Sequence, residues 1–137
     1  HPHVVQPYEI WSVAGAGGAE GGRRGPIFYS LGNFISNQTG NGTDIGLIVK
    51  VRLTRTEFAD GRVTLAWDPP EFIPTWVHIQ RKNGKRHYRI LPLPVILNDA
   101  RRDRFTPDEY AHMEKIWKET ESHVRSLEAA GGEPGRS

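Results

Sequence analysis

Asn83-Gly84, at the centre of the run TWVHIQRKNGKRHYRILP, constrains this chain more than any other pair of residues. Asn-Gly accepts the two positive φ values of a type I′ turn, the two-residue connection whose twist matches that of paired antiparallel strands. The register then follows from the turn, with Lys82 opposite Lys85, Ile79 opposite Tyr88 and Val77 opposite Ile90. Apolar residues land opposite apolar residues, as cross-strand packing requires. A β-hairpin with an apolar base and a basic tip is the expected result.

The rest of the chain is punctuated in the same way. With 15 Gly and 10 Pro in 137 residues, short strands joined by turns are expected more than long helices. His3 to Val13 reads as loop and then a short strand, and Ala14 to Gly25 as a Gly-rich connection. That connection lacks the third Gly of a dinucleotide loop and the Gly-Lys-Ser/Thr of a P-loop, so a flexible hairpin loop is the reading. Ile27 to Phe34 is a strand rich in aromatic and β-branched residues, and Ser36 to Asp44 has loop chemistry. Ile45 to Glu57 alternates as one half-buried strand, with Ile45, Leu47, Val49, Val51 and Leu53 on one face. Ala59-Asp60-Gly61 turns it, and Val63, Leu65 and Trp67 form the inward face of the returning strand. Asp68-Pro69-Pro70 breaks that strand, Pro74 argues for an edge or a bend, and Pro92 and Pro94 end the sheet.

One helix is announced by its start signals, with Thr106 at the N-cap, Pro107 at N1 and Glu109 at N3 closing a capping box. Tyr110, Met113, Trp117, Thr120, Val124 and Leu127 recur at three and four, so one face is expected to pack on the sheet. Ala130 to Ser137 reads as a tail. A net charge of +2 carries no nucleic-acid footprint, and the lack of Cys removes disulfides, thiolate metal sites and cysteine nucleophiles together. No apolar run approaches the length that spans a bilayer, and no signal peptide is visible.

Few residues stand out for chemistry. His1-Pro2-His3 has a metal-ligand spacing, because a near-extended backbone sends i and i+2 to the same side. An exposed terminus also frays, so two terminal imidazoles can equally hold nothing. Pro2 has no amide proton to lose, which excludes square-planar copper or nickel bound through terminal amides. The tip cations Arg81, Lys82, Lys85 and Arg86 can attract a polyanion or simply guard a sheet edge. His78 and His87 share a face without a nearby carboxylate and read as exposed, as do His112 and His123 on the helix. Ser30 lacks a nucleophile elbow. Asn33 and Gln38 are amides near a strand end, where turn-making is the common role.

In order, HPHVVQP, PIFYSLGNFISNQ after a Gly-rich gap, and EFIPTWV before a hairpin ending YRILPLP resemble the bacterial CapA family of capsule or poly-γ-glutamate synthesis proteins. The likeness runs from His1 to about Pro94. It implies the β-rich C-terminal part of an α/β, calcineurin-like metallophosphoesterase sandwich, mostly antiparallel strands and hairpins, to which the capping and periodicity signals add one C-terminal amphipathic helix. Residues 1–97 would belong to that domain, 98–128 to a linker and the helix, and 129–137 to a disordered tail. The chain opens without Met and without the Gly that normally precedes the family's first His, so it reads as a C-terminal piece whose partner is the upstream part of the same domain.

The resemblance further implies that His1 and His3 are ligands of a site for two divalent metal ions, with Asn33 orienting a ligand or the substrate. The superfamily's Asp-x-His, Gly-Asp-x-x-Asp and Gly-Asn-His motifs occur nowhere in the chain. These residues alone are therefore expected to bind metal weakly and hydrolyse nothing. By the same likeness the parent works in the cell envelope, outside the cytoplasm, with other capsule-synthesis proteins and an anionic polymer as partners. A non-catalytic component that holds or exports an anionic polymer is the alternative, and a self-sufficient small β module a third.

Overall fold

A computed structural model describes residues 2–13, 23–101 and 103–127. The described elements are β1 (Tyr8–Val13), β2 (Arg23–Phe28), β3 (Ile45–Lys50), β4 (Leu53–Glu57), β5 (Val63–Trp67), β6 (Glu71–Lys82), β7 (Lys85–Pro92), α1 (Leu93–Leu97) and α2 (Pro107–Val124). All strand pairings are antiparallel: β1–β2, β3–β6–β7 and β4–β5. The expected β-rich architecture with hairpins and a C-terminal helix is what the chain adopts.

The Asn83-Gly84 hairpin has its expected geometry. Asn83 (φ 52°) and Gly84 (φ 74°) both take the left-handed region, and Lys82 faces Lys85, Ile79 faces Tyr88 and Val77 faces Ile90. Pro74 does not mark an edge strand, because β6 lies between β3 and β7. Val77 N–H donates to Asp44 O on the β3 side (2.9 Å), so alternation turns the amide position of Pro74 toward β7. Pairing with β7 begins only at Thr75, and the missing donor is not needed there.

The stretch from Ile45 to Glu57 departs from the single strand read from its alternation. It divides at Val51-Arg52 into β3, which pairs with β6, and β4, which pairs with β5. The cause lies in the partner chain segment. Asp68-Pro69-Pro70 interrupts β5 from β6, so the strand opposite changes identity, and Asp68 N–H donates to Arg52 O at the crossing (3.1 Å). Leu53 and Leu65 are consequently 70% and 72% exposed, and Val63 is exposed too, instead of facing inward. The strand after the Gly-rich connection also begins earlier than expected, at Arg23, and Ala14–Gly22 lies outside the described residues.

One face of the β3–β6–β7 sheet is covered by the helices. Leu91, Leu93, Leu97, Tyr110, Met113 and Ile116 form one buried cluster, with Trp76 and Phe105 packed against it. Val5, Tyr8, Leu47 and Val124 form a second, to which Phe28 and Phe72 add stacked and tilted ring contacts with Tyr8. The short α1 follows where the sequence predicts only the end of the sheet. Pro92 and Pro94 do end the sheet, but they also fit the first turn of a helix, where no amide donor is required.

The capping box on α2 forms in full, and it does more than cap. Thr106 Oγ1 accepts from Glu109 N–H (3.2 Å), and Glu109 Oε2 accepts from Thr106 N–H (2.8 Å). The other carboxylate oxygen accepts from His78 Nε2 (2.8 Å). His78 is thus 5% exposed rather than open to solvent. The carboxylate missing from its own strand face arrives from α2, and its ring lies among Trp76 and Phe105. Among the described residues its Nδ1 finds no hydrogen-bond partner.

The Thr106 amide, ahead of the bond from His78, holds the Glu109 carboxyl below its ordinary pKa. Glu109→Ala removes half the capping box and orphans a buried imidazole N–H, and it should cost about 2–3 kcal/mol in chemical denaturation. A lowered carboxyl pKa stabilises the fold above the ordinary carboxylate range, and that stability is lost as pH falls through the folded value. Glu109→Gln should accordingly flatten the acid limb of the melting profile. Equal acid sensitivity in both proteins rules this origin out.

Candidate functional site

The β1–β2 ladder keeps one register from Val13 opposite Arg23, through Tyr8 opposite Phe28, to the bridge of Val5 with Leu31. Continued two residues further, that register sets His3 opposite Asn33. The two side chains meet there, His3 Nδ1 and Asn33 Oδ1 standing 3.1 Å apart. The strand pairing itself thus puts the imidazole and the carboxamide together.

The orientation of Asn33 follows from its other contacts. Its Nδ2 lies 2.8 Å from the Thr43 carbonyl oxygen, which can only accept, and 3.1 Å from Gln38 Oε1. The amide group therefore points into the 36–44 loop and the oxygen points at His3. An oxygen there requires Nδ1 of His3 to carry the proton, so the lone pair of the neutral ring sits on Nε2. A carboxamide, carboxylate or carbonyl behind a metal-binding histidine fixes its tautomer and ring plane in this way.

Two glycines allow this approach. Gly32 (φ +68°) bridges to Gly46, and a Cβ on Gly46 would stand 2.5 Å from the Asn33 carbonyl oxygen and 2.9 Å from Thr75 Oγ1. Thr75 is fully buried, and its hydroxyl has no partner among the described residues. The loop that carries Asn33 and Gln38 is held at its far end as well. Trp76 Nε1 donates to Asp44 Oδ2 (3.0 Å), and Arg86 Nη1 and Tyr88 OH both donate to Asn37 Oδ1 (2.6 and 2.7 Å).

Of the residues singled out in the sequence, His1 lies outside the described residues, and His3 and Asn33 are brought together. Arg81, Lys82, Lys85 and Arg86 are exposed at the β6–β7 tip. Gln38 supports Asn33, and Ser30 Oγ accepts from Gly32 N–H (3.2 Å), a turn role. His112 and His123 are exposed on α2, as read. Among the described residues no group of three or more His, Asp or Glu side chains is placed to hold a metal ion. A cavity of about 750 Å³ lies elsewhere, under the β4–β5 hairpin between Arg24, Leu53 and Trp67. The sequence does not show the contacts of Asn37 with Tyr88 and Arg86, nor that of Glu109 with His78. The only available signal for Glu109 was its capping position, and none marked Asn37.

Residues 1–38 match the family model described as bacterial capsule synthesis protein PGA_cap. That segment holds His3, Asn33 and Gln38. No curated protein and no solved structure matches the chain. No described helix is long and apolar enough to cross a membrane.

Gly46→Ala forces a methyl group against backbone and a buried hydroxyl, neither of which can yield cheaply. Overpacking of this kind should cost about 1–3 kcal/mol and move Asn33 off His3, which ¹⁵N shifts of the imidazole report as a loss of the Nδ1–H tautomer. A variant with wild-type melting and an unchanged tautomer would mean that the seam tolerates a side chain.

Proposed function

We propose that the segment around His3 is one wall of a divalent-metal site in a protein of bacterial capsule synthesis related to CapA. The observation that carries this reading is the coincidence of two things. Residues 1–38 match a capsule-synthesis family, and the same segment holds a histidine whose tautomer is set by an amide behind it.

His3 would bind through Nε2, with His1 as the neighbouring ligand suggested by the spacing, and Asn33 would keep the ring in place. A bound divalent ion there would supply Lewis acidity and an activated water for hydrolysis of an ester or amide. The chain's own residues orient and hold; Thr43, Gln38 and Asn33 form the scaffold. Two such ions need more carboxylates and histidines than the described residues bring together, so weak binding of a single ion is the expectation for this wall. The protein would act at the cell envelope, on or beside poly-γ-glutamate or a related capsular polymer.

The basic hairpin favours a second reading, in which the domain grips an anionic polymer without cleaving it. The two readings separate in a titration of the full chain with Mn²⁺ followed by NMR. Metal binding at this wall predicts line broadening centred on His3, Asn33 and Gln38 that His3→Ala abolishes. Broadening spread equally over His87, His112 and His123 would reject it. In the producing bacterium, disruption of the gene should lower capsular polymer, and a His3→Ala copy should fail to restore it if metal chemistry is required.

A further inference from the structure

Arg86 and Tyr88 converge on a single atom. Arg86 Nη1 and Tyr88 OH both donate to Asn37 Oδ1, at 2.6 and 2.7 Å, and all three residues are exposed. An exposed amide oxygen is well served by water and does not require a guanidinium and a phenol. A guanidinium carries five donors; Arg86 uses one of them among the described residues. Arg81 lies directly across the ladder from Arg86. Like charges directly opposite repel, and an anion between them relieves the repulsion.

The pleat also sorts the tip. Residues two apart share a face, so Arg81 and Arg86 lie on the face of Tyr88, Ile79 and Thr75, while Lys82 and Lys85 lie on the other. Four cations that look equivalent in the sequence are thus two separate pairs. Only the arginine pair lies on the Asn37 face. From there the contacts run on through Gln38, next in sequence, to Asn33 and His3.

We propose that Arg86, Tyr88 and Arg81 form a seat for an anionic oxygen, that the Asn37 carboxamide fills it from within the chain, and that the incoming group is a carboxylate. A carboxamide is planar and nearly isosteric with a carboxylate, so donors placed for its oxygen suit a carboxylate oxygen better than a tetrahedral phosphate. Arginine adds a planar fork of matching geometry. The inference deepens the His3 reading by giving its ligand a carboxylate-bearing chain, but the seat stands on its own contacts.

The test is calorimetric titration of the full chain with sodium poly-γ-glutamate and, separately, with sodium polyphosphate of equal charge, at one ionic strength. Arg86→Gln should weaken poly-γ-glutamate binding about tenfold and Tyr88→Phe about threefold. Asn37→Ala removes the internal competitor and should strengthen it. The double variant K82Q/K85Q loses as much charge as R81Q/R86Q and should shift the affinity less than about twofold. Should R81Q/R86Q melt early, R81K/R86K keeps the charge without the fork and should still lose affinity. Equal losses from the lysine and arginine pairs, or weaker binding by Asn37→Ala, would overturn the seat. Polyphosphate binding as tight as poly-γ-glutamate would overturn the carboxylate assignment. His3→Ala should leave this binding intact, so failure of the metal signal and failure of the seat are separate results.

Discussion

A Cβ on Gly32 would stand 2.5 Å from the Ile45 carbonyl oxygen, and one on Gly46 2.5 Å from that of Asn33. This mutual backbone approach joins the β1–β2 ladder to the β3–β6–β7 sheet, with Leu47 N–H donating to Leu31 O beside it (2.8 Å). Everything at the candidate site hangs from that seam. It places the end of one ladder against the first strand of the other, and so sets Asn33 between His3 on one side and the 36–44 loop on the other. A side chain at either glycine would hold the two ladders apart, and the histidine would lose the amide that fixes its proton.

The second organising contact is the carboxylate of Glu109, which closes the first turn of α2 with one oxygen and holds His78 with the other. A local signal thereby becomes a tertiary one. The helix cannot shift along the sheet without exposing or stranding a buried imidazole. Tyr110, Met113, Ile116, Thr120 and Val124 then cover the sheet along one stripe, and the register between helix and strand is set at its first turn.

Features governed by neighbours in sequence were legible there. The Asn83-Gly84 turn dictates its register because two residues leave no alternative, and Thr106 to Glu109 form a cap because every partner lies within one turn. Features governed by the opposite strand were not. The alternation through Ile45 to Leu53 is unbroken in the sequence, yet the chain changes partners at Val51 because of Asp68-Pro69-Pro70, which is distant along the chain but lies beside it in the fold. The burial of His78 is hidden for the same reason, since its carboxylate comes from another element. At the site, the His-x-His spacing drew attention to His3, and resemblance drew it to Asn33. The convergence of Arg86 and Tyr88 on Asn37 depends on the 36–44 loop meeting strand β7 and has no local signature.

The β4–β5 hairpin has a different character from the rest. It pairs only within itself among the described strands, and it shows solvent Leu53, Leu65 and Val63 on one side. A two-stranded ribbon of this kind is marginal in water, and its outer edges are open to other chains. Amide protons there should exchange long before those of the central sheet. In concentrated solution an exposed apolar ribbon of this kind is a natural point of contact between molecules.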